Sequence, residues 1–282
     1  MRIIKDLEEM QMYSFKTRCR GKTIGFVPTM GCLHEGHLSL VEAAKKKADV
    51  VVVSIFVNPI QFGPSEDYKE YPRPLATDKG LLEHFDIDVL FLPEANKITP
   101  DNFSSYIEVD KLSKKMCGRA RPAYFRGVTT IVAKFFNIVC PDFTFFGEKD
   151  YQQQIIIKKM VKDLGFAIKI ITLPTVREFD GLAMSSRNQY LSVKEREQAI
   201  ILYKALCLAR QEIESGEKND HKILLRVRSL IGSVPNIRLD YVVFADPETL
   251  DEVKTLRGKI LVALAAYIGK ARLIDNLIVN AK

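Results

Sequence analysis

One stretch of the chain, residues 49–57, constrains the possible folds more than any other. Its sequence, Asp-Val-Val-Val-Val-Ser-Ile-Phe-Val, is almost continuously apolar and rich in β-branched residues. A half-buried strand alternates apolar and polar residues, whereas an unbroken apolar run is typical of a parallel strand that is covered on both faces. The run therefore predicts a parallel sheet with helices packed on each side.

The segments around this run alternate between strand-like and helix-like patterns. Short apolar runs predict strands at residues 23–27, 89–92, 143–146 and 167–173. Apolar stripes with helical spacing occur at residues 37–48, 75–85, 128–139 and 151–164. Strand–helix–strand connections of this kind form right-handed crossovers between parallel strands. We therefore predict an α/β fold with a doubly wound parallel sheet over residues 1–175, with ligands at the carboxyl ends of its strands.

The pattern changes after about residue 175. A loop at residues 177–188 leads into helical stretches, and strand-like runs follow without alternation. The helical stretches are residues 192–215 and 219–231, and the strand-like runs are residues 237–244, 259–268 and 272–279. Because helices followed by strands favour a separate α+β domain, we predict a smaller second domain at residues 176–282.

Composition places the chain among ordinary globular proteins. Of its 282 residues, 47% are hydrophobic and 27% are charged, which excludes a disordered tail or a fibrous protein. No apolar run approaches the roughly 18–20 residues that a membrane span needs. The first six residues already carry charge at Arg2, Lys5 and Asp6, unlike a signal peptide. We therefore expect a cytoplasmic protein without a membrane partner.

The formal net charge of +7 is compatible with nucleic acid, anionic lipid or a polyanionic small substrate. One basic cluster, residues 45–47, falls in a predicted amphipathic helix, where a solvated face explains it. No basic stretch is interleaved with aromatic residues, so we expect no nucleic-acid partner. The five cysteines never lie two residues apart, which disfavours a disulfide framework or a thiolate zinc cage.

The loop after the first predicted strand has the composition of a phosphate-binding segment. Residues 28–37 read Pro-Thr-Met-Gly-Cys-Leu-His-Glu-Gly-His and join a strand to a helix N-terminus, whose unpaired N–H groups attract phosphate. His34 and His37 could donate hydrogen bonds to phosphoryl oxygens. A zinc-binding histidine pair is the competing interpretation, although that motif needs a four-residue spacing on a continuous helix. Two purely structural histidines are the third.

Two further loops at predicted strand ends carry polar side chains. Gln61, in residues 57–63, offers both a donor and an acceptor to a polar substrate, or belongs to an ordinary turn. Residues 146–153 place Lys149 and Asp150 between a strand and a helix. These two residues either bind an anionic ligand or cap the helix and face solvent.

The fourth segment, residues 181–188, lies between the predicted domains and contains two serines followed by Arg187. The hydroxyls and the guanidinium could clamp a triphosphate, and a polar linker is the alternative. Each segment alone is modest support for a ligand. Several such loops at one edge of a parallel sheet together favour a phosphate-containing substrate.

These segments together resemble the pantothenate synthetase (pantoate–β-alanine ligase) family, within the superfamily of class I aminoacyl-tRNA synthetase-like nucleotidyltransferases. The matching stretches are residues 28–37, 57–63, 71–73, 126–128, 147–153, 180–188 and 271–276. The resemblance implies a Rossmann-like domain that binds ATP and pantoate, a C-terminal domain that acts as a lid, a homodimer and a requirement for Mg²⁺. It also implies ATP-dependent condensation of pantoate with β-alanine to pantothenate through a pantoyl-adenylate, releasing AMP and pyrophosphate.

The resemblance also implies residue roles at the matching positions. His37 would be the proton donor, with His34 and Lys149 beside it on the phosphates. Gln61 would contact pantoate and later β-alanine, and Gln153 would bind pantoate. The implied ATP-binding residues are Met30, Gly31, Cys32, Leu33, His34, Glu35, Gly36, His37, Gly147, Glu148, Lys149, Asp150, Val176, Met184, Ser185, Ser186 and Arg187.

The chain departs from the family pattern at two positions. Tyr124 stands where the family often has His, and its phenol can still donate a hydrogen bond. Met184 stands where many members have Lys, which leaves Lys149 and Arg187 as the main local cations. Asp78 is a candidate magnesium ligand.

Two other functions are compatible with parts of the sequence. A nucleotidylyltransferase shares the paired-histidine loop, but its product retains the nucleotide, and nothing in that class requires Gln61 and Gln153 as a substrate pair. A basic RNA-binding module would instead show salt-sensitive RNA binding without ATP turnover. Product analysis separates these functions from an AMP-forming ligase.

Overall fold

The computed structural model describes residues 1–64 and 66–281, so Lys282, the last residue of the predicted second domain, lies outside the described residues. The chain divides into two compact units. The first unit comprises Met1–Lys114, Gly118–Glu148 and Gln153–Pro174. The second comprises Lys115–Cys117, Lys149–Gln152 and Thr175–Lys282. Two short segments from the first two-thirds of the chain therefore belong to the second unit.

The first unit contains a parallel sheet of six strands in the order β1-β4-β3-β2-β5-β6. The strands are β1 Arg2–Ile4, β2 Ile24–Thr29, β3 Val50–Ile55, β4 Val89–Phe91, β5 Phe143–Gly147 and β6 Lys169–Leu173. The helices along this part of the chain are α1 Leu7–Cys19, α2 Glu35–Lys47, α3 Leu75–His84, α4 Ala95–Ile98, α5 Cys117–Ala120, α6 Tyr124–Val139 and α7 Tyr151–Asp163. The predicted α/β fold is confirmed, and β1 and α1 are additions for which the sequence patterns gave no prediction.

Both faces of the sheet are covered, which is why its strands are apolar at nearly every position. Successive side chains of a strand point to opposite faces. In β3, Val52 belongs to a core cluster that includes residues of α1, α6 and α7. Its neighbour Val53 belongs to a second cluster with residues of α2 and α3. The sheet is therefore doubly wound, as the continuous apolar run at residues 49–57 predicted.

The strand order puts a change of direction beside β2. The chain adds β3 and β4 on one side of β2 and then returns to place β5 on its other side. In sheets of this kind, ligands bind beyond the carboxyl ends of the strands at such a switch point. The segments that follow β2, β3 and β5 are three of those predicted to bind a ligand.

The second unit contains an antiparallel sheet in the order β7-β8-β9 and three helices. The strands are β7 Ile237–Ala245, β8 Gly258–Ile268 and β9 Ala271–Ala281, and the helices are α8 Val193–Ala199, α9 Ile201–Glu214 and α10 Asp220–Gly232. The helix expected at residues 192–215 is interrupted at Ile200: α8 starts at a capping box formed by Ser192 and Glu195 and ends at Ala199, and α9 begins at Ile201. The apolar pattern continues across Ile200, so the sequence does not reveal the break.

Within the described part of the chain, no helix combines the length and apolar character needed to cross a bilayer.

Candidate active site

The loop between β2 and α2 is held by side chains from two neighbouring elements. The Oγ1 atom of Thr29 donates to the carbonyl of Ser54 at 2.7 Å and accepts from the N–H of Gly31 at 3.1 Å. The carboxylate of Asp78 accepts from the backbone N–H groups of Cys32 and Leu33, each at 2.8 Å. These bonds fix the loop conformation before any ligand is present.

Gly31 is required by this geometry. Its φ is +80°, a region that side chains with a Cβ rarely adopt. A Cβ at this position would also lie 2.9 Å from the Cγ2 atom of Ile55 and 3.0 Å from Oδ2 of Asp78. The backbone can therefore pass close to β3 and α3 only with glycine here.

The two predicted histidines form the N-terminal cap of α2. The Nδ1 atom of His34 accepts from the N–H of Gly36 at 3.2 Å, and Nδ1 of His37 accepts from the N–H of His34 at 3.3 Å. The ring centroids lie 4.1 Å apart. Because an Nδ1 atom that accepts a hydrogen bond carries no proton, each ring bears its hydrogen on Nε2. The pair thus presents N–H donors at a helix terminus that already favours anions.

Gln61 lies in a short turn, Pro59–Gln61, directly after β3. Its side-chain oxygen accepts from Nδ2 of Asn58 at 2.9 Å, and its Nε2 contacts the sulfur of Met30 at 3.2 Å. The structure therefore brings a predicted substrate ligand beside a predicted ATP ligand.

Asn58, for which the sequence predicted no role, holds the side chain of Gln61. It is only 3% exposed, caps the turn by accepting from the N–H of Ile60, and donates to the carbonyl of Gly127 at 3.1 Å. These bonds orient the amide of Gln61. The Asn-Pro pair at residues 58–59 is the signal that could have revealed it, since asparagine before proline favours turn initiation.

Gly127→Ala is expected to displace the Gln61 turn. A Cβ at Gly127 would lie 2.3 Å from the carbonyl oxygen of Ile60 and 2.7 Å from Cα of Gln61, and backbone atoms cannot rotate away. We expect a loss of about 1–3 kcal/mol in the free energy of unfolding and a raised KM for pantoate, the substrate that Gln61 is predicted to contact. Thermal denaturation and steady-state kinetics measure the two effects. Gly80→Ala, in open space on α3, is the matched control, and equal behaviour of the two variants would contradict the prediction.

Gln153 is contacted by Tyr124, the residue that departs from the family pattern. The phenol oxygen of Tyr124 lies 3.4 Å from Oε1 of Gln153, to which it can donate. The guanidinium of Arg121 lies 3.7 Å from the centre of the Tyr124 ring, and Arg121 also forms an ion pair with Glu66. Arg121 thus packs on the ring of Tyr124, and the Tyr124 hydroxyl supplies a donor to the predicted pantoate ligand.

In the second unit, Lys149 lies in a short 3₁₀ segment that follows β5. Its side chain is 20% exposed, and its Nζ atom lies 3.9 Å from Oδ2 of Asp150. Its backbone carbonyl accepts a hydrogen bond from Nδ2 of Asn276 in β9 at 2.9 Å. The cation is therefore attached to a fixed main chain. Gly147 and Glu148, which precede it, belong to the first unit.

The loop at residues 177–188, which contains the serines and the arginine predicted to bind the triphosphate, is the predicted phosphate loop of the second unit, and it begins as a hairpin. Arg177 and Ala183 form a β-bridge, and the N–H of Met184 donates to the carbonyl of Val176 at 3.0 Å. Beyond the hairpin, Ser185 caps the 3₁₀ turn Ser186–Tyr190 by accepting from the N–H of Arg187 at 3.3 Å. The structure thus places Val176 beside Met184 and orients the start of the serine–arginine segment.

The same hairpin is tied to α8 by charge. Arg196 contacts the carboxylates of Glu178 and Asp180 at 2.6 and 2.7 Å. The hydrogen bonds from Arg196 lower the pKa of Asp180 below its usual range. At neutral pH, the ion pair between Asp180 and Arg196 therefore holds the tip of the hairpin to α8.

A model of the family described as pantoate-beta-alanine ligase matches residues 2–278 of the chain. The chain belongs to this family. Relatives named pantothenate synthetase include one from Thermosipho melanesiensis, with 50% identity over 99% of this chain and 100% of its own length. Another, from Pseudothermotoga lettingae, is 51% identical over 99% of both chains.

Solved structures of pantoate-beta-alanine ligases have the same fold. A pantothenate synthetase from Thermus thermophilus aligns with a TM-score of 0.93 at 41% identity, covering 98% of this chain and 99% of that one. A pantoate-beta-alanine ligase from Francisella tularensis, complexed with beta-gamma ATP and β-alanine, aligns with a TM-score of 0.82 at 38% identity, covering 99% and 97%. The predictions of the family, the fold class and a pantothenate-forming ligase are confirmed.

Proposed function

We propose that this chain joins pantoate to β-alanine in two steps, by forming a pantoyl-adenylate from ATP and then transferring the pantoyl group to the amine. The observation that carries the adenylylation step of this proposal is the histidine pair. The Nδ1 atoms of His34 and His37 accept hydrogen bonds within the helix cap, and we propose that their Nε2–H groups donate to phosphate oxygens of ATP at the N-terminus of α2. Membership of the ligase family supports the same assignment.

The first step makes an unreactive acid reactive. A carboxylate is a poor electrophile because its oxide leaving group is too basic, and adenylylation replaces that group with AMP. One carboxylate oxygen of pantoate attacks the α-phosphorus of ATP, and the bond to the bridging oxygen of pyrophosphate breaks. Catalysis of such a transfer consists mainly of positioning and of stabilising charge on the phosphate oxygens. We assign that charge stabilisation to His34, His37, Lys149 and Arg187, with Met30–His37, Gly147–Asp150, Val176 and Met184–Arg187 as the ATP-binding segments.

Mg²⁺ is expected as part of the ATP complex. It is usually bound through one or two carboxylates together with substrate phosphates and water, so a single protein carboxylate is a sufficient donor set. Asp78 is the candidate carboxylate: it is buried, and each of its oxygens accepts one backbone hydrogen bond and keeps a further lone pair. When bound, the ion would neutralise charge on the phosphate oxygens.

The second step requires pantoate to be held while the amine attacks the acyl carbon. Gln61 and Gln153 supply amide donors and acceptors for the hydroxyl groups of pantoate, and Gln61 would also contact β-alanine. AMP leaves with the carboxylate oxygen that attacked phosphorus. Because water competes with the amine for the adenylate, we propose that residues 176–282 act as a lid over the reaction. We further propose that the protein is a cytoplasmic homodimer, which the family resemblance supports. Sedimentation analysis would test the dimer.

Product analysis tests the proposed function. The purified protein is incubated with ATP, pantoate, β-alanine and Mg²⁺, with each component omitted in turn. We expect equal amounts of AMP, pyrophosphate and pantothenate, and no pantothenate when any substrate is missing. A stable nucleotidyl conjugate would instead indicate a nucleotidylyltransferase. Salt-sensitive RNA binding without ATP turnover would indicate a binding protein.

A further inference from the structure

Strand β9 contains two consecutive polar residues that are buried. Asp275 and Asn276 are 3% and 7% exposed, in a strand whose neighbouring residues Leu273 and Val279 belong to the apolar core. Burying polar side chains is costly unless they form hydrogen bonds. Because successive residues of a strand point to opposite faces, this pair can reach two different parts of the second unit.

Asp275 holds the hairpin that begins the predicted phosphate loop. Its two carboxylate oxygens accept from the two terminal nitrogens of Arg177 at 2.6 and 2.9 Å. Arg177 also donates to the carbonyl of Gly181 at 3.0 Å, across the same hairpin. Burial raises the pKa of the Asp275 carboxyl, and the Arg177 guanidinium opposes the rise. The pair therefore fixes the base of the hairpin on which Val176 and Met184 lie.

Asn276 holds the main chain at Lys149. Its Nδ2 atom donates to the Lys149 carbonyl at 2.9 Å, between residues 127 positions apart in sequence. The two halves of the pair are also connected, because the N–H of Asn276 donates to Oδ1 of Asp275 at 2.8 Å. One continuous hydrogen-bond network thus runs from Arg177 in the hairpin through β9 to the main chain of Lys149.

We propose that Asp275 and Asn276 are positioning residues for adenylylation, Asp275 for the nucleotide-binding hairpin and Asn276 for Lys149. The inference rests on the proposed function, in which both segments bind ATP. The Nζ atom of a lysine can already move through several side-chain torsions. Fixing the peptide carbonyl of Lys149 removes the additional movement of its main chain and so limits the volume that Nζ can occupy. Misplacement of a catalytic group by about 1 Å can cost roughly 10²-fold in rate.

The test uses full-length protein and single-turnover formation of pyrophosphate from saturating ATP and pantoate. We expect Asn276→Ala to slow this step roughly 10- to 100-fold while the KM for pantoate stays at the parent value. Asp275→Asn removes the charge opposite Arg177, and we expect it to raise the KM for ATP more than it lowers kcat. Asn280→Ala is the matched control, because Asn280 lies on the same face of β9 and is exposed.

A double-mutant cycle separates positioning from a general loss of stability. If Asn276 acts through Lys149, Asn276→Ala should cause no further slowing in a Lys149→Ala background. Asn276→Asp, which keeps the side-chain size but loses the N–H donor, is carried through the same cycle in case the alanine variant does not fold. Multiplying effects, or a parental rate for Asn276→Asp, would overturn the inference. A parent protein that forms no pyrophosphate from ATP and pantoate would instead overturn the proposed function.

Discussion

Lys149→Ala is expected to lower the rate of adenylylation by about 10²–10³-fold, the usual effect of removing one preorganised electrostatic group. We expect Lys149 to be the largest single contributor, because Met184 leaves no lysine ahead of Ser185 and Ser186. Its side chain is mostly buried, with Nζ 3.9 Å from the nearest Asp150 oxygen. The measurement is single-turnover pyrophosphate release at saturating ATP and pantoate.

Two further variants make the Lys149 result specific. Lys162→Ala removes an exposed lysine from the last turn of α7, and we expect it to retain the parental rate. Lys149→Arg keeps the charge but changes its shape and reach, so it should recover only part of the loss. Unimpaired adenylylation by Lys149→Ala would show that the cation for the phosphates lies elsewhere.

His37→Ala is expected to slow adenylylation strongly while the protein remains folded. The substitution removes an Nε2–H donor at the end of α2 that we propose to bind phosphate, and we expect a loss of about 10²–10³-fold in the same assay. It also removes one hydrogen bond of the helix cap, so the free energy of unfolding should fall by about 0.5–2 kcal/mol. Circular dichroism and thermal denaturation measure the structural part separately.

The chain offers a control of the same residue type. His84 is exposed in the last turn of α3, and His84→Ala should leave both steps unchanged. His37→Gln retains an N–H donor on a flexible side chain and should be more active than His37→Ala. Pyrophosphate release by His37→Ala at the parental rate would refute a role for this imidazole in adenylylation.

The sequence was informative where a local pattern determines the structure. The apolar run at residues 49–57 predicted β3 and its burial on both faces, and glycines at strand ends marked the loops. Helix α1 escaped prediction because its fully buried positions, Met10, Ser14 and Thr17, are mostly small and polar and give no apolar stripe. Strand β1 has only three residues, of which Arg2 and Ile3 are exposed, so it forms no apolar run of the kind that predicted the equally short β4.

The contacts that position the site could not be predicted from sequence, because they join distant residues and leave no periodic pattern. Asp78 accepts from N–H groups 45 and 46 residues earlier, and the resemblance alone suggested only a metal-binding role for it. The bond from Asn276 to Lys149 spans 127 residues. Motifs thus predicted the residues that we propose to carry the chemistry, whereas the residues that orient them became visible only in the fold.

Isotope transfer from pantoate to AMP distinguishes an acyl-adenylate from other activated forms of the acid. Pantoate labelled with ¹⁸O in both carboxylate oxygens is converted with unlabelled ATP and β-alanine, and the products are examined by mass spectrometry. If a carboxylate oxygen attacks the α-phosphorus, one ¹⁸O should appear in AMP and the other in the amide of pantothenate. Recovery of pantothenate with unlabelled AMP, or label in the pyrophosphate, would show that pantoate is not activated as an acyl-adenylate.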